Sequence, residues 1–143
     1  MTHATSISAQ EFAERYVGVW NEASPEARRT LIRELWSEQG EHVLQPPTEM
    51  REMATRIGFP EPKLELRGYP ALEARVKCAY EDFVAGGKYV FRPGPYAQRL
   101  RDHIKFNWEM VSTSDGSVAA GGLNIVVVDD QERIRLDYTF IDP

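Results

Sequence analysis

The run His103-Ile104-Lys105-Phe106-Asn107-Trp108-Glu109-Met110 decides the fold. Ile104, Phe106, Trp108 and Met110 alternate with polar residues, the period-two pattern of a strand with one face buried. Two more strand-like runs follow, Val118 to Val128 and Ile134 to Ile141, each reached through a short turn. Together they predict an antiparallel meander. Upstream, Tyr89 to Phe91 reads as a short strand, and Pro93-Gly94-Pro95 predicts a loop because proline cannot donate to a sheet ladder.

Before Lys88 the period is near four. Ser8 and Glu11 have capping-box spacing, with Ile7 and Phe12 placed as a hydrophobic staple. Phe12, Tyr16, Val19 and Trp20 then form one apolar face of a first helix. Ser24-Pro25 opens a second helix, since proline is tolerated at the first helical position. Leu31, Ile32, Leu35 and Trp36 supply its stripe, and Gly40 is its expected stop. His42 to Leu44 predicts a short strand ended by Pro46-Pro47. Thr48 to Ile57 predicts a short helix, Phe59-Pro60-Glu61-Pro62 a stiff connector, and Leu64 to Leu66 a brief edge strand. A long helix is expected from about Pro70 to Val84, with Leu72, Val76, Ala79, Tyr80 and Phe83 facing inward. Helices first and strands last indicate an α+β domain, a sheet curled around helices with a pocket between them.

The 143 residues fit one domain spanning 1–143, long enough to bury ~70% of the surface of the unfolded chain. A net charge of −5 without a basic cluster argues against nucleic-acid and anionic-membrane partners. Arg28-Arg29 is an isolated pair expected on a helix surface. No apolar run reaches the ~20 residues that span a bilayer, and Met1-Thr2-His3-Ala4 does not open a signal peptide. Cys78, expected in an apolar helical stripe, is the single cysteine, which suits a reducing cytoplasm. The three histidines lack metal-ligand spacing, and no nucleophile or phosphate-loop motif is present, so neither metal nor cofactor is expected.

Register determines which side chains share the pocket, because a one-residue slip turns every side chain over. If Ser114-Asp115-Gly116 is a three-residue loop, Phe106 pairs with Asn124 and Trp108 with Gly122. If Asp115-Gly116 alone turn the chain, Asn107 pairs with Asn124. A two-residue turn at Asp130-Gln131 would put Asp137 beside Asn124 in both cases. The two polar residues therefore share either the aromatic face or the charged face, and the alternation leaves both open.

The phrase Arg15-Tyr16-Val17-Gly18-Val19-Trp20-Asn21, with Leu35-Trp36 and the segment from Gly121-Gly122-Leu123-Asn124 to Phe140, resembles the nuclear-transport-factor-2-like superfamily. Within it the likeness is to ketosteroid isomerases and SnoaL-like polyketide cyclases. The resemblance implies a cone: a strongly curved antiparallel sheet wrapped around three N-terminal and central helices, with an interior cavity and dimerisation through the sheet. It also selects the three-residue loop. Tyr16 matches the family's helix-one tyrosine, and Asn124 falls where a strand aspartic acid stands, its amide still able to donate a hydrogen bond. Around Leu44-Gln45-Pro46, where the family's Asp-Pro base is expected, there is no carboxylate, which speaks against steroid isomerase chemistry.

The resulting expectation is a cytoplasmic protein that binds a small apolar organic molecule and performs isomerase, cyclase or lyase-type acid–base chemistry. Tyr16 and Asn124 would polarise an oxygen, and Asp137 or His42 would move a proton. Each has a bland counterpart: a core tyrosine, a solvated or dimer-facing aspartate beside Arg135 or Lys105, a surface histidine. His103 is expected on the charged face. Trp20, Trp36, Met50, Met53, Tyr80, Phe83, Phe91, Phe106 and Trp108 are core residues that would also line the pocket, Met50 and Met53 as a lid. The alternative is a non-catalytic ligand-binding or dimeric assembly module, favoured by the missing Asp-Pro base.

Overall fold

The computed structural model describes residues 7–46, 48–58 and 63–142; His3, Pro47 and the Phe59–Pro62 connector lie outside the described residues. Helix α1 (Ala9–Asn21) starts where the Ser8 hydroxyl accepts from the Glu11 N–H at 3.1 Å. Helix α2 (Pro25–Leu35) starts where the Ser24 hydroxyl accepts from Ala27 N–H at 3.2 Å. These caps satisfy N–H groups that a helix start otherwise leaves unpaired. The second helix stops five residues before Gly40. Trp36 opens strand β1 (Trp36–Gln45), and its position four after Ile32 suits either periodicity. Gly40 is a close-approach residue instead: a Cβ there would sit 2.8 Å from the Ile134 carbonyl oxygen and 2.9 Å from Trp36 Cδ1.

Helix α3 (Thr48–Arg56) buries none of its residues, and Met50 and Met53 stand in solvent. After the edge strand β2 (Leu64–Arg67), helix α4 (Tyr69–Ala79) buries Leu72, Val76 and Ala79. The expected single helix to Val84 instead changes to a π-helical turn over Tyr80–Val84, closed by Ala85 N–H donating to the Tyr80 carbonyl at 2.8 Å. The wider turn rotates the inner face, which leaves Phe83 exposed rather than buried. Cys78 is exposed as well, one position off the stripe it was expected to join.

Strands β3 (Tyr89–Leu100), β4 (His103–Ser112), β5 (Val118–Val128) and β6 (Ile134–Ile141) complete a six-stranded sheet ordered β2-β1-β6-β5-β4-β3. Pairing is antiparallel everywhere except between β1 and β6, which run parallel. Pro93-Gly94-Pro95 does not break β3. The segment is absorbed as an irregularity between Pro93 and Ala97 on an edge strand, where missing N–H donors are tolerated. Asn107 on β4 holds it there, its Oδ1 accepting from Tyr96 N–H at 3.0 Å.

Phe106 pairs with Asn124 and Trp108 with Gly122, the pairing of the three-residue loop. The turn itself is longer, with Ser112 N–H donating to the Ser117 carbonyl at 2.8 Å, and a bulge at Met110/Val111 restores the register. The next turn is also longer than two residues: Asp129 N–H donates to the Arg133 carbonyl, with Glu132 in the left-handed region at φ 62°. Asn124 consequently pairs with Thr139, and Asp137 pairs with Val126. The shift is two residues, so Asp137 stays on Asn124's face as a diagonal neighbour. Irregularities in four of the five pairings bend the sheet around α1, α2 and α4. Phe12, Tyr16, Ile32, Trp36, Leu72, Val76, Ile104, Phe106, Val126 and Ile134 form the core between the layers.

Candidate functional site

Five polar side chains meet inside this apolar shell. Asp137 is fully buried, and its Oδ2 accepts from the Tyr16 hydroxyl at 2.5 Å and faces His42 Nδ1 at 2.9 Å. Its Oδ1 accepts from Asn124 Nδ2 at 2.7 Å. The same amide nitrogen lies 2.9 Å from the Tyr16 hydroxyl oxygen and 2.8 Å from Thr139 Oγ1. Asn124 Oδ1 accepts from the Trp108 indole N–H at 2.9 Å. His42, Tyr16 and Thr139 are buried too.

Each element contributes through its period. Tyr16 projects from the inner stripe of α1, wedged among aromatic rings with centroids 5.0 Å (Phe106), 5.4 Å (Trp36) and 6.1 Å (Trp20) away. Asn124 on β5, with Asp137 and Thr139 on β6, occupies the concave face by alternation. His42 reaches Asp137 because β1 lies directly against β6, with the two residues as register partners. Burial, and then the adjacent Asp137 carboxylate, raises the Tyr16 pKa well above its ordinary value, so its hydroxyl keeps its proton at neutral pH.

The donors of Tyr16 and Asn124 are thus taken up inside the cluster rather than left facing a ligand, which differs from their expected task of polarising a substrate oxygen. Asp137 accepts from Tyr16 and Asn124 and faces His42. In its neutral form, with Nδ1–H donating to that carboxylate, His42 presents Nε2 as a lone pair, and Nε2 is buried without a partner. The Nε1 atoms of Trp20 and Trp36 are likewise buried and unpaired. Trp20 lies beside the imidazole, ring centroids 5.9 Å apart.

The remaining candidates fall into two groups. Trp20, Trp36, Phe106 and Trp108 surround the cluster, and Phe91 packs on Trp108 with centroids 5.9 Å apart. Met50 and Met53 are exposed on α3, Phe83 is exposed but packs edge-on against Phe91 with centroids 6.4 Å apart, and Tyr80 is engaged by the guanidinium of Arg28 at 4.7 Å. Arg28 itself is buried rather than on a helix surface, donating to the Glu22 carbonyl. His103 is exposed beside Asp102. Thr139 was missed by the sequence reading although its signal was available, two residues after Asp137 on an alternating strand. Among the described residues no group of three or more His, Cys, Asp and Glu is placed to hold a metal ion, and no helix is long and apolar enough to cross a membrane.

The bent sheet closing over α1, α2 and α4 is the cone fold that SnoaL-like and NTF2-like structures share. The crystal structure of a candidate isomerase of the SnoaL-like family from Agrobacterium tumefaciens superposes with a TM-score of 0.73 at 24% identity, covering 94% of this chain and 97% of that one. A SnoaL-like protein of unknown function from Burkholderia thailandensis gives a TM-score of 0.64 at 15% identity, covering 98% and 99%. A candidate polyketide cyclase from Sinorhizobium meliloti gives 0.56 at 12% identity, covering 90% and 93%. At these identities the likeness is one of fold. No protein-family model and no curated protein matches the chain by sequence.

Proposed function

We propose that this chain is an acid–base enzyme of the isomerase, cyclase or lyase type acting on a small, largely apolar organic molecule, with His42 as its base. The observation that carries this reading is the His42–Asp137 pair: 2.9 Å apart, out of solvent, with Nε2 left unpartnered. Asp137 fixes the tautomer and orientation of the imidazole and stabilises the imidazolium formed when Nε2 takes a proton. Tyr16 and Asn124 hold Asp137, so their role is positioning. The imidazole stands on β1, the strand at whose end, around Leu44-Gln45-Pro46, the family's Asp-Pro base is absent. It would take a proton from carbon next to a carbonyl, or from a hydroxyl, and return it elsewhere on the same molecule. A SnoaL-like protein described as a candidate isomerase and a protein described as a candidate polyketide cyclase share the fold and make this class of chemistry the natural one to search.

The convex face supports a homodimer through the sheet. Tyr138 and Phe140 are exposed on β6, and Ile125 and Leu123 are their register partners on β5.

The test is a turnover screen across ketones, epoxides and polyketide-like compounds with the native chain, His42→Gln and Asp137→Asn. Loss of His42 should cost about 10²–10⁴-fold in kcat. Full turnover in both variants would refute the assignment. Thermal stabilisation by a ligand with no product formed would instead identify a receptor.

A further inference from the structure

Three arginines of the helical layer lie over aromatic rings, and two face a partner oxygen, one through hydrogen bonds and one through a longer ion pair. Arg28, over Tyr80, donates to the Glu22 carbonyl at 2.8 and 3.1 Å. Arg33, over Tyr69, faces the Glu73 carboxylate at 3.7 Å. Arg75 on α4 differs. Its guanidinium carbon lies 5.5 Å from the Trp20 ring centroid, its Nε is closed off from solvent without an acceptor, and among the described residues it has no carboxylate partner. Leaving a cationic donor dry and unanswered is unfavourable unless something else meets it.

The placement of this cation gives it meaning. Trp20 packs against the Arg75 guanidinium and also against the His42 imidazole, and its own N–H is buried and unpaired. Along this one indole the unanswered atoms are two donors, Arg75 Nε and Trp20 Nε1, and one lone pair, His42 Nε2. A molecule complementary to them has acceptors at one end and a removable proton at the other.

We propose that Arg75 recognises a carboxylate of the substrate, so that the molecule processed at His42 is an organic acid whose apolar body lies along Trp20. The inference rests on the acid–base reading of His42. A planar guanidinium meets a carboxylate with paired N–H donors, which a lysine cannot reproduce. A neutral amide of the same shape lacks the charge. Arg75 is therefore a specificity residue for an anion, and the protein's overall negative charge makes this isolated cation stand out rather than form part of a basic surface.

The experiment uses matched pairs of compounds, each carboxylic acid with its primary amide, on rings from cyclohexane to naphthalene, titrated calorimetrically into the full chain. At least one acid should bind about tenfold or more tightly than its amide. That preference should collapse in Arg75→Gln at unchanged melting temperature, return in part in Arg75→Lys, and persist in Arg33→Gln. Acids that bind no better than their amides, or fail to bind, overturn the proposal, as does a preference that survives in Arg75→Gln. His42→Gln separates the two readings. Lost turnover there with no acid preference at Arg75 removes the carboxylate site alone. Retained turnover there with the preference abolished in Arg75→Gln removes the His42 base alone.

Discussion

Trp108 sets the orientation of Asn124. Its indole N–H donates to Asn124 Oδ1 at 2.9 Å, and because an indole nitrogen can only donate, the amide must present Nδ2 to Asp137, Tyr16 and Thr139. The one amide in the cluster is thereby held as a donor toward the carboxylate it supports. An asparagine suits this position because its amide offers an acceptor to the indole and a donor to Asp137 at once.

Asn124→Asp should expose that logic. It places a second carboxyl within reach of Asp137 in a fully buried setting, where two like charges cannot both be held. The folded variant would keep a proton that its unfolded chain releases, so its stability relative to the native chain falls as pH rises. The expected slope approaches about 1.4 kcal/mol per pH unit between about pH 5 and about pH 8. Urea unfolding midpoints across that range measure it, and a pH-independent difference would contradict it.

Tyr16 should be the last phenol to ionise. The chain has six tyrosines, and burial with the neighbouring Asp137 carboxylate raises the Tyr16 pKa well above 10.0. A raised folded value means the stabilisation is fully present below the unfolded pKa and is lost as pH climbs beyond it. Absorbance titration should therefore fall short of six phenolates until alkaline unfolding, and Tyr16→Phe should abolish the lag. Removing the hydroxyl also strips a donor from a buried carboxylate, an expected loss of about 1–3 kcal/mol in urea unfolding.

Gly122→Ala should disturb the cluster without touching it. A Cβ at 122 would lie 2.5 Å from Trp108 Cζ2 and 2.6 Å from the Phe140 carbonyl oxygen. The backbone oxygen cannot yield, so the indole must move and its bond to Asn124 lengthens. A cost of about 1–3 kcal/mol is expected from overpacking. The Trp108 indole N–H resonance should shift toward that of a weaker hydrogen bond, and an unchanged resonance would exclude the displacement.

Much of this was legible in the residues. Ser8 and Ser24 announced two helix starts, and alternation through Ile104 to Met110 marked a half-buried strand, while the register that turns Asn124 to the aromatic face came from the family resemblance. Tyr16, His42, Asn124 and Asp137 could each be singled out, and the structure gathers all four. The Asp130-Gln131 turn misled by two residues because Glu132 accepts a left-handed backbone that its side chain does not advertise. Trp36 fitted a helix as well as a strand, and only the close seat of Gly40 against Ile134 reveals the strand. The His42–Asp137 contact was hidden, since nothing local in the chain indicates that β1 runs parallel beside β6.

That parallel pairing has a consequence for when the His42–Asp137 pair comes into being. Its two halves are separated by 95 residues, one on the first strand and one on the last. A nascent chain carries the histidine long before its aspartate exists, with helices and four further strands made in between. The pair therefore cannot form until the last strand has been made and has docked against the first.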